Sequence, residues 1–221
     1  MAVSPRHRQL TMALTKLRRA LLPTKFDPTG NYRRQESVHL RAVSFRLLVH
    51  AEIESYLEDK AIELASRGWT VWKSARITTD VTVALIAFAG VEACKAPGKL
   101  GGDPKKQKAY DDYAVLLEKA NGIWRYDLKN NHGVKEENVL ALFLPLGISP
   151  TELDTTLLAD LSSYGALRGE VAHASSLSVT TLADPKSEFQ KAELLIRDLT
   201  KLDASITTAI TRINKVTAVL P

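Results

Sequence analysis

Residues 36–66, ESVHLRAVSFRLLVHAEIESYLEDKAIELAS, decide what kind of fold this chain makes. Leu40, Val43, Leu47, His50, Glu54, Leu57, Ala61 and Leu64 recur at intervals of three and four, the period of one helical face. The spacing predicts one long helix, ended by Gly68.

The same period continues outward in both directions. Upstream, Leu10, Leu14, Leu17 and Leu21 place a helix over 5–21, stopped by Pro23 and followed by the turn-rich FDPTGNY of 26–32. Residues 1–35 thus form a basic N-terminal helix and linker, and 36–221 the main helical domain. Downstream, 78–93 reads as an apolar helix capped by Thr78 or Asp80, with β-branched pairs leaving a strand open as the alternative. The stretch KAPGKLGGDPKKQK, 95–108, is an exposed basic loop by composition. Helix resumes near Lys106 and runs to about Lys129, where Asn130, Asn131, His132 and Gly133 form a stop with Gly133 in the left-handed position. A short helix over 135–145 precedes Leu146, Gly147 and Ile148. Ser149 and Pro150 open the next segment, a helix follows over 154–175, and a polar break at 175–185 leads to a last helix over 186–216. No strand pair, dinucleotide-binding glycine pattern or internal repeat emerges, so the expected fold is an all-α bundle.

Composition sets the class. The 221 residues suit one large domain, or one domain with an elaborated terminus, and the apolar and charged fractions are those of a protein with a proper core. The single cysteine, Cys94, excludes an internal disulfide and fits a reducing, cytoplasmic setting. The most apolar run, 81–91, is too short to span a bilayer, and no secretory signal is visible. The basic N-terminus loosely resembles a transit peptide, but an amphipathic helix is the preferred reading. The formal net charge of +5 is unevenly spread. Arg6, Arg8, Lys16, Arg18, Arg19, Lys25, Arg33 and Arg34 surround a single acid, Asp27. Such an end suits phosphate contacts, which makes Arg6, Arg8, Arg18 and Arg19 candidate RNA-binding residues; a solvated helix face is the alternative.

Of the five histidines, none pairs with another histidine or with Cys94 at metal spacing, and no phosphate loop or hydrolase elbow is present, so neither metal nor cofactor is expected. His50 and Glu54, four apart, read as a core histidine satisfied by a carboxylate. Arg-x4-His occurs twice, as Arg34/His39 and Arg168/His173, where composition alone yields roughly 0.3 matches. Only the second lies beside a small-residue stripe. Gly165, Gly169, Ala172 and Ser176 share one helical face, with Arg168 and His173 flanking it about 140° apart. If a second copy packs on that face, a two-fold axis gathers both Arg–His pairs into one cleft, making a homodimer through Gly165, Gly169 and Ala172.

In this form, RGEVAHAS at 168–175, the chain resembles the HEPN superfamily, and within it the RiboL-PSP-HEPN group. NHGVKEENVLALFLPLGI at 131–148 and RLLVHAEIESYLED at 46–59 are also similar to that group, and the resemblance extends over about 36–215. It implies a HEPN-like helical bundle with an extra N-terminal helix, acting as a metal-independent endoribonuclease. His173 would be the general acid and base and Arg168 the phosphate clamp. The ribose 2′-OH would attack the phosphodiester and leave 2′,3′-cyclic phosphate ends. Toxin, phage-defence or RNA-processing roles, a homodimer and a cognate antitoxin belong to the same implication. Glu170, Tyr164, Ser175 and Ser176 are accessory candidates, Tyr164 as a cleft wall or a base-stacking ring. Gly169 stands where many active members carry a polar residue. The alternative is therefore a non-catalytic HEPN module that binds RNA or protein.

Overall fold

The computed structural model describes residues 3–90, 113–173 and 183–218; the side chains of 167–173 and 217–218 lie outside that description. The described residues are all-α. Seven helices are α1 (Pro5–Leu21), α2 (Gln35–Ala75), α3 (Asp80–Phe88), α4 (Tyr113–Asn130), α5 (Glu136–Phe143), α6 (Thr155–His173) and α7 (Pro185–Ala218). Short 3-10 turns, Leu144–Leu146 and Pro150–Glu152, join α5 to α6.

α2 is the axle. Its buried face carries Phe45, Val49, Ile53, Tyr56, Leu57, Ala61 and Leu64. Each large apolar side chain fully removed from water contributes about 1.5–3 kcal/mol. α1 and α7 lie along it, and Leu10 and Leu14 of α1 join Leu195, Leu199, Leu202 and Ile206 of α7 in the same core. Leu40, placed on the core stripe by periodicity, is 60% exposed; the buried register there runs through His39, Ala42 and Val43.

Gly68 does not end α2. The helix continues to Ala75 and stops at Arg76, in the left-handed region at φ 56°. Gly68 is buried instead, and a Cβ on it would lie 2.7 Å from the Cβ of Val81. The glycine allows α3 to cross α2 closely, a packing requirement that a helix-stop rule misreads. α3 is capped by Thr79, neither Thr78 nor Asp80, through a reciprocal box with Thr82. The strand alternative for this segment is not adopted. The segment 95–108, expected as a basic loop, and the expected start of the next helix near Lys106 lie outside the described residues.

α4 ends at Asn130, and Gly133 takes φ 130° in the turn that follows, as its sequence predicts. Pro150 opens a 3-10 turn capped by Ser149, and Asp154 caps α6 by accepting from the amides of Thr156 and Leu157. No described helix is long and apolar enough to cross a membrane.

Candidate functional site

Contacts along α2 and α7 fix how α6 sits. His39 Nδ1 lies 2.8 Å from the Ala183 carbonyl, Arg46 meets Glu188, and the Tyr56 hydroxyl donates to Asp203, so α2 and α7 run parallel. Asp154, at the start of α6, pairs with Lys201, while Tyr164 adjoins Lys191, Leu194 and Leu195, so α6 runs antiparallel to both. The last turns of α6, which carry Arg168, Glu170 and His173, therefore head toward the His39 end of α2 and the first turn of α7. The side chains of Arg168, Glu170 and His173, and all of Ser175 and Ser176, lie outside the described residues.

The α2 surface under α6 is polar. Arg46 is buried and makes a two-pronged salt bridge to Glu188, with Nε–Oε2 and Nη2–Oε1 both 2.7 Å. Lys191 Nζ lies 3.6 Å from the same carboxylate. One turn on, His50 is buried, with Nδ1 3.6 Å from Glu54 Oε2. That distance is longer than a hydrogen bond. The short bond of Glu54 goes elsewhere: Oε1 accepts the Gly133 amide at 2.6 Å. The carboxylate beside His50 thus also anchors the His132–Gly133 turn, a role that its sequence spacing could not disclose.

Tyr164 is not an open stacking platform. It is 2% exposed, its ring lies parallel to His50 at a centroid distance of 6.4 Å, and its hydroxyl donates to the Arg46 carbonyl at 3.2 Å. Burial, followed by the negative charge of Glu188, drives its phenol well above the ordinary value. With Asp160, Ser163, Lys191, Leu194 and Leu195 it walls a small cavity of about 230 Å³ between α6 and α7.

The small-residue stripe is already in use at its first member. Gly165 is buried against the start of α5, where a Cβ would meet Lys135 Cγ at 3.1 Å and Val134 Cγ2 at 3.5 Å. The close approach that Gly165 permits is made within the chain, so this residue does not belong to a free dimer face. Gly169 and Ala172 fall among the undescribed side chains.

Two of the four basic candidates on α1 are consumed by the fold. Arg6 pairs with Asp59 at 2.7 Å, donates to Ser55 and stands over the Tyr56 ring. Arg18 donates to the carbonyls of Leu22 and Thr24 and lies over the rings of Phe26 and Phe189. Arg8 and Arg19 are exposed. α1 is itself tied down by Asp203 of α7, which accepts from the Ser4 amide at 2.7 Å and hydroxyl at 2.6 Å.

Arg46 and Glu188 escaped the sequence reading. Their signal is a charged residue inside an apolar stripe on each of two helices, at positions 46 and 188. Only the parallel packing of α2 and α7 makes them partners. Compared with protein-family models, with curated proteins and with solved structures, the chain gives no match.

Proposed function

We propose that the protein is a HEPN-type, metal-independent endoribonuclease. The observation that supports this best is the continuity of α6, a single helix from Thr155 to His173. It keeps Arg168 and His173 on one rigid element, about 140° and 7.5 Å of rise apart. It also brings that end of the helix toward a polar stretch of α2 and the start of α7. Histidine can move the 2′-OH proton near neutral pH, and arginine offers a fixed positive fork to the phosphate. His173 is the acid and base in this reading and Arg168 the clamp, with cyclic phosphate and 5′-hydroxyl ends as products. A homodimer, an antitoxin partner, a toxin, defence or RNA-processing role and a cytoplasmic setting belong to the same proposal.

The test is cleavage of bulk tRNA and messenger RNA in EDTA by wild type, Arg168→Ala and His173→Ala. Cleavage by wild type alone, leaving 2′,3′-cyclic phosphates, is the expected result. Loss of wild-type cleavage in EDTA, or equal cleavage by all three, defeats the reading.

Two observations favour a second reading, a non-catalytic binding module. Gly169 leaves no polar side chain directly after Arg168. Gly165 is occupied by α5 of its own chain, which narrows the face that a second subunit could use. A protein that stays monomeric and binds RNA without cutting it is what this reading expects.

A further inference from the structure

A groove of about 500 Å³ lies between α2 and α4, lined by Glu58, Ile62, Arg125, Leu128, Lys129 and His132. Its volume is in the range of small-ligand sites. Arg125 and Lys129 are four apart on α4 and share a face, and both are exposed, as is His132. Their state differs from that of Arg6, Arg18 and Arg46. Those three are committed to carboxylates, carbonyls or rings, whereas among the described residues neither Arg125 nor Lys129 has a hydrogen bond or ion pair. The imidazole beside them is held in place: Glu54 grips the Gly133 amide, and the Asn131 and Asn138 side chains bond to each other at 2.7 Å, fixing the turn that carries His132. Between these groups stands one carboxylate, Glu58, half-buried. Burial first, then the charges of Glu54 and Asp59, raise its pKa, and His132 partly offsets them. Ile62 is 44% exposed and Leu128 half-buried, giving the groove an apolar lining.

Two cations, an imidazole, one acceptor and an apolar wall do not suit a bare anion, which would leave Glu58 repelling it. They suit a nucleotide. We propose that this groove binds a nucleotide, free or as one unit of single-stranded RNA. Arg125, Lys129 and His132 hold the phosphate, Ile62 and Leu128 carry the base, and Glu58 accepts from a base amino group or a ribose hydroxyl. Only the RNA source rests on the ribonuclease reading.

The experiment is binding by the full chain, wild type beside Arg125→Gln/Lys129→Gln. A labelled ten-nucleotide RNA is followed by anisotropy at several salt concentrations, and AMP and inorganic phosphate are titrated separately by calorimetry. The double variant should bind AMP, RNA or both about tenfold more weakly; for RNA the salt slope falls by about 1.4, near 0.7 for each lost phosphate contact. Glu58→Gln should weaken AMP more than phosphate. Loss of AMP binding alone identifies a free nucleotide as the ligand, and loss of RNA binding alone identifies the strand. Unchanged affinity and slope in the double variant, or phosphate binding as tightly as AMP, overturns the proposal. Both substitutions are at exposed positions, and Arg125→Lys should restore most of the affinity in a folded chain. Cleavage is scored apart. Groove-dependent RNA binding without cleavage leaves this proposal standing and removes the nuclease, while cleavage with unchanged affinity in the double variant does the reverse.

Discussion

The Tyr164 hydroxyl donates to the backbone carbonyl of Arg46, 3.2 Å away, and this bond sets the register of α6 on α2. The carbonyl belongs to the residue whose side chain grips Glu188 on α7. One residue therefore links the three helices around the Arg168–His173 end. Tyr164→Phe should lower stability by about 1 kcal/mol, the usual worth of such a bond, and Tm by roughly 2–4 °C. Thermal denaturation checks the size, and RNA cleavage should fall in parallel if register matters to the site.

Breaking the Arg46–Glu188 pair is a harsher change. Arg46→Ala leaves a buried carboxylate without its two-pronged partner and should cost about 3–5 kcal/mol. The double substitution Arg46→Met/Glu188→Leu should recover most of that loss, because no charge is then stranded. Urea unfolding of the two variants beside wild type tests the ordering.

Gly68→Ala probes the α2–α3 crossing. The new methyl would meet the Val81 side chain at 2.7 Å, well inside contact distance. Overpacking of this kind costs about 1–3 kcal/mol. It should outweigh the gain in helix propensity of roughly 1 kcal/mol that alanine brings elsewhere. A rise in Tm would show that α3 can move away freely.

Acid should weaken the anchor of α1. Burial pulls the Asp203 carboxyl up, but the Ser4 hydroxyl and amide, Lys60 and the Tyr56 hydroxyl outweigh it and hold the pKa below the ordinary 3.8. A depressed carboxylate stabilises the fold fully above its unfolded pKa and loses that contribution as pH falls through the folded one. Asp203→Asn should therefore lower Tm at pH 7, by about 4–8 °C for a loss of roughly 2 kcal/mol. The gap from wild type should close as pH drops below 3.8. Melting curves across that range decide it, and a gap that widens on acidification contradicts the account.

The basic helix α1 should split in two by behaviour. Arg18→Ala removes two carbonyl contacts and a guanidinium 4.4 Å from the Phe26 ring centre, and should cost about 1 kcal/mol of stability. Arg19→Ala should leave stability within about 0.5 kcal/mol. If α1 touches RNA, Arg8→Ala and Arg19→Ala are the changes that flatten the salt dependence of binding. Equal melting temperatures for Arg18→Ala and Arg19→Ala would contradict the division.

Local order was written plainly in the chain. Apolar residues at three and four, Pro23, Gly133 and the Ser149–Pro150 pair place most helix limits within a few residues, because period, caps and breakers act over one or two turns. Two exceptions have different causes. Gly68 reads as a stop, yet α3 arrives from outside the helix and requires a residue with no side chain there. Thr79 takes the cap from its neighbours because its hydroxyl and that of Thr82 meet reciprocally.

At the candidate site the balance reverses. The spacing of Arg168 and His173, their place on one helix and the small residues between them are properties of the sequence alone. What lies against that helix is not. Gly165 was free to serve a second subunit until α5 took its face, and Tyr164 was free to meet a base until α2 buried it. Arg6 and Arg18 were surface charges until Asp59, Phe26 and Phe189 were brought beside them. Helix formation depends on neighbours within about four residues, which any sequence displays. Burial and charge pairing depend on residues far apart in the chain, Arg6 with Asp59 and Arg46 with Glu188, and those meet only when the helices pack.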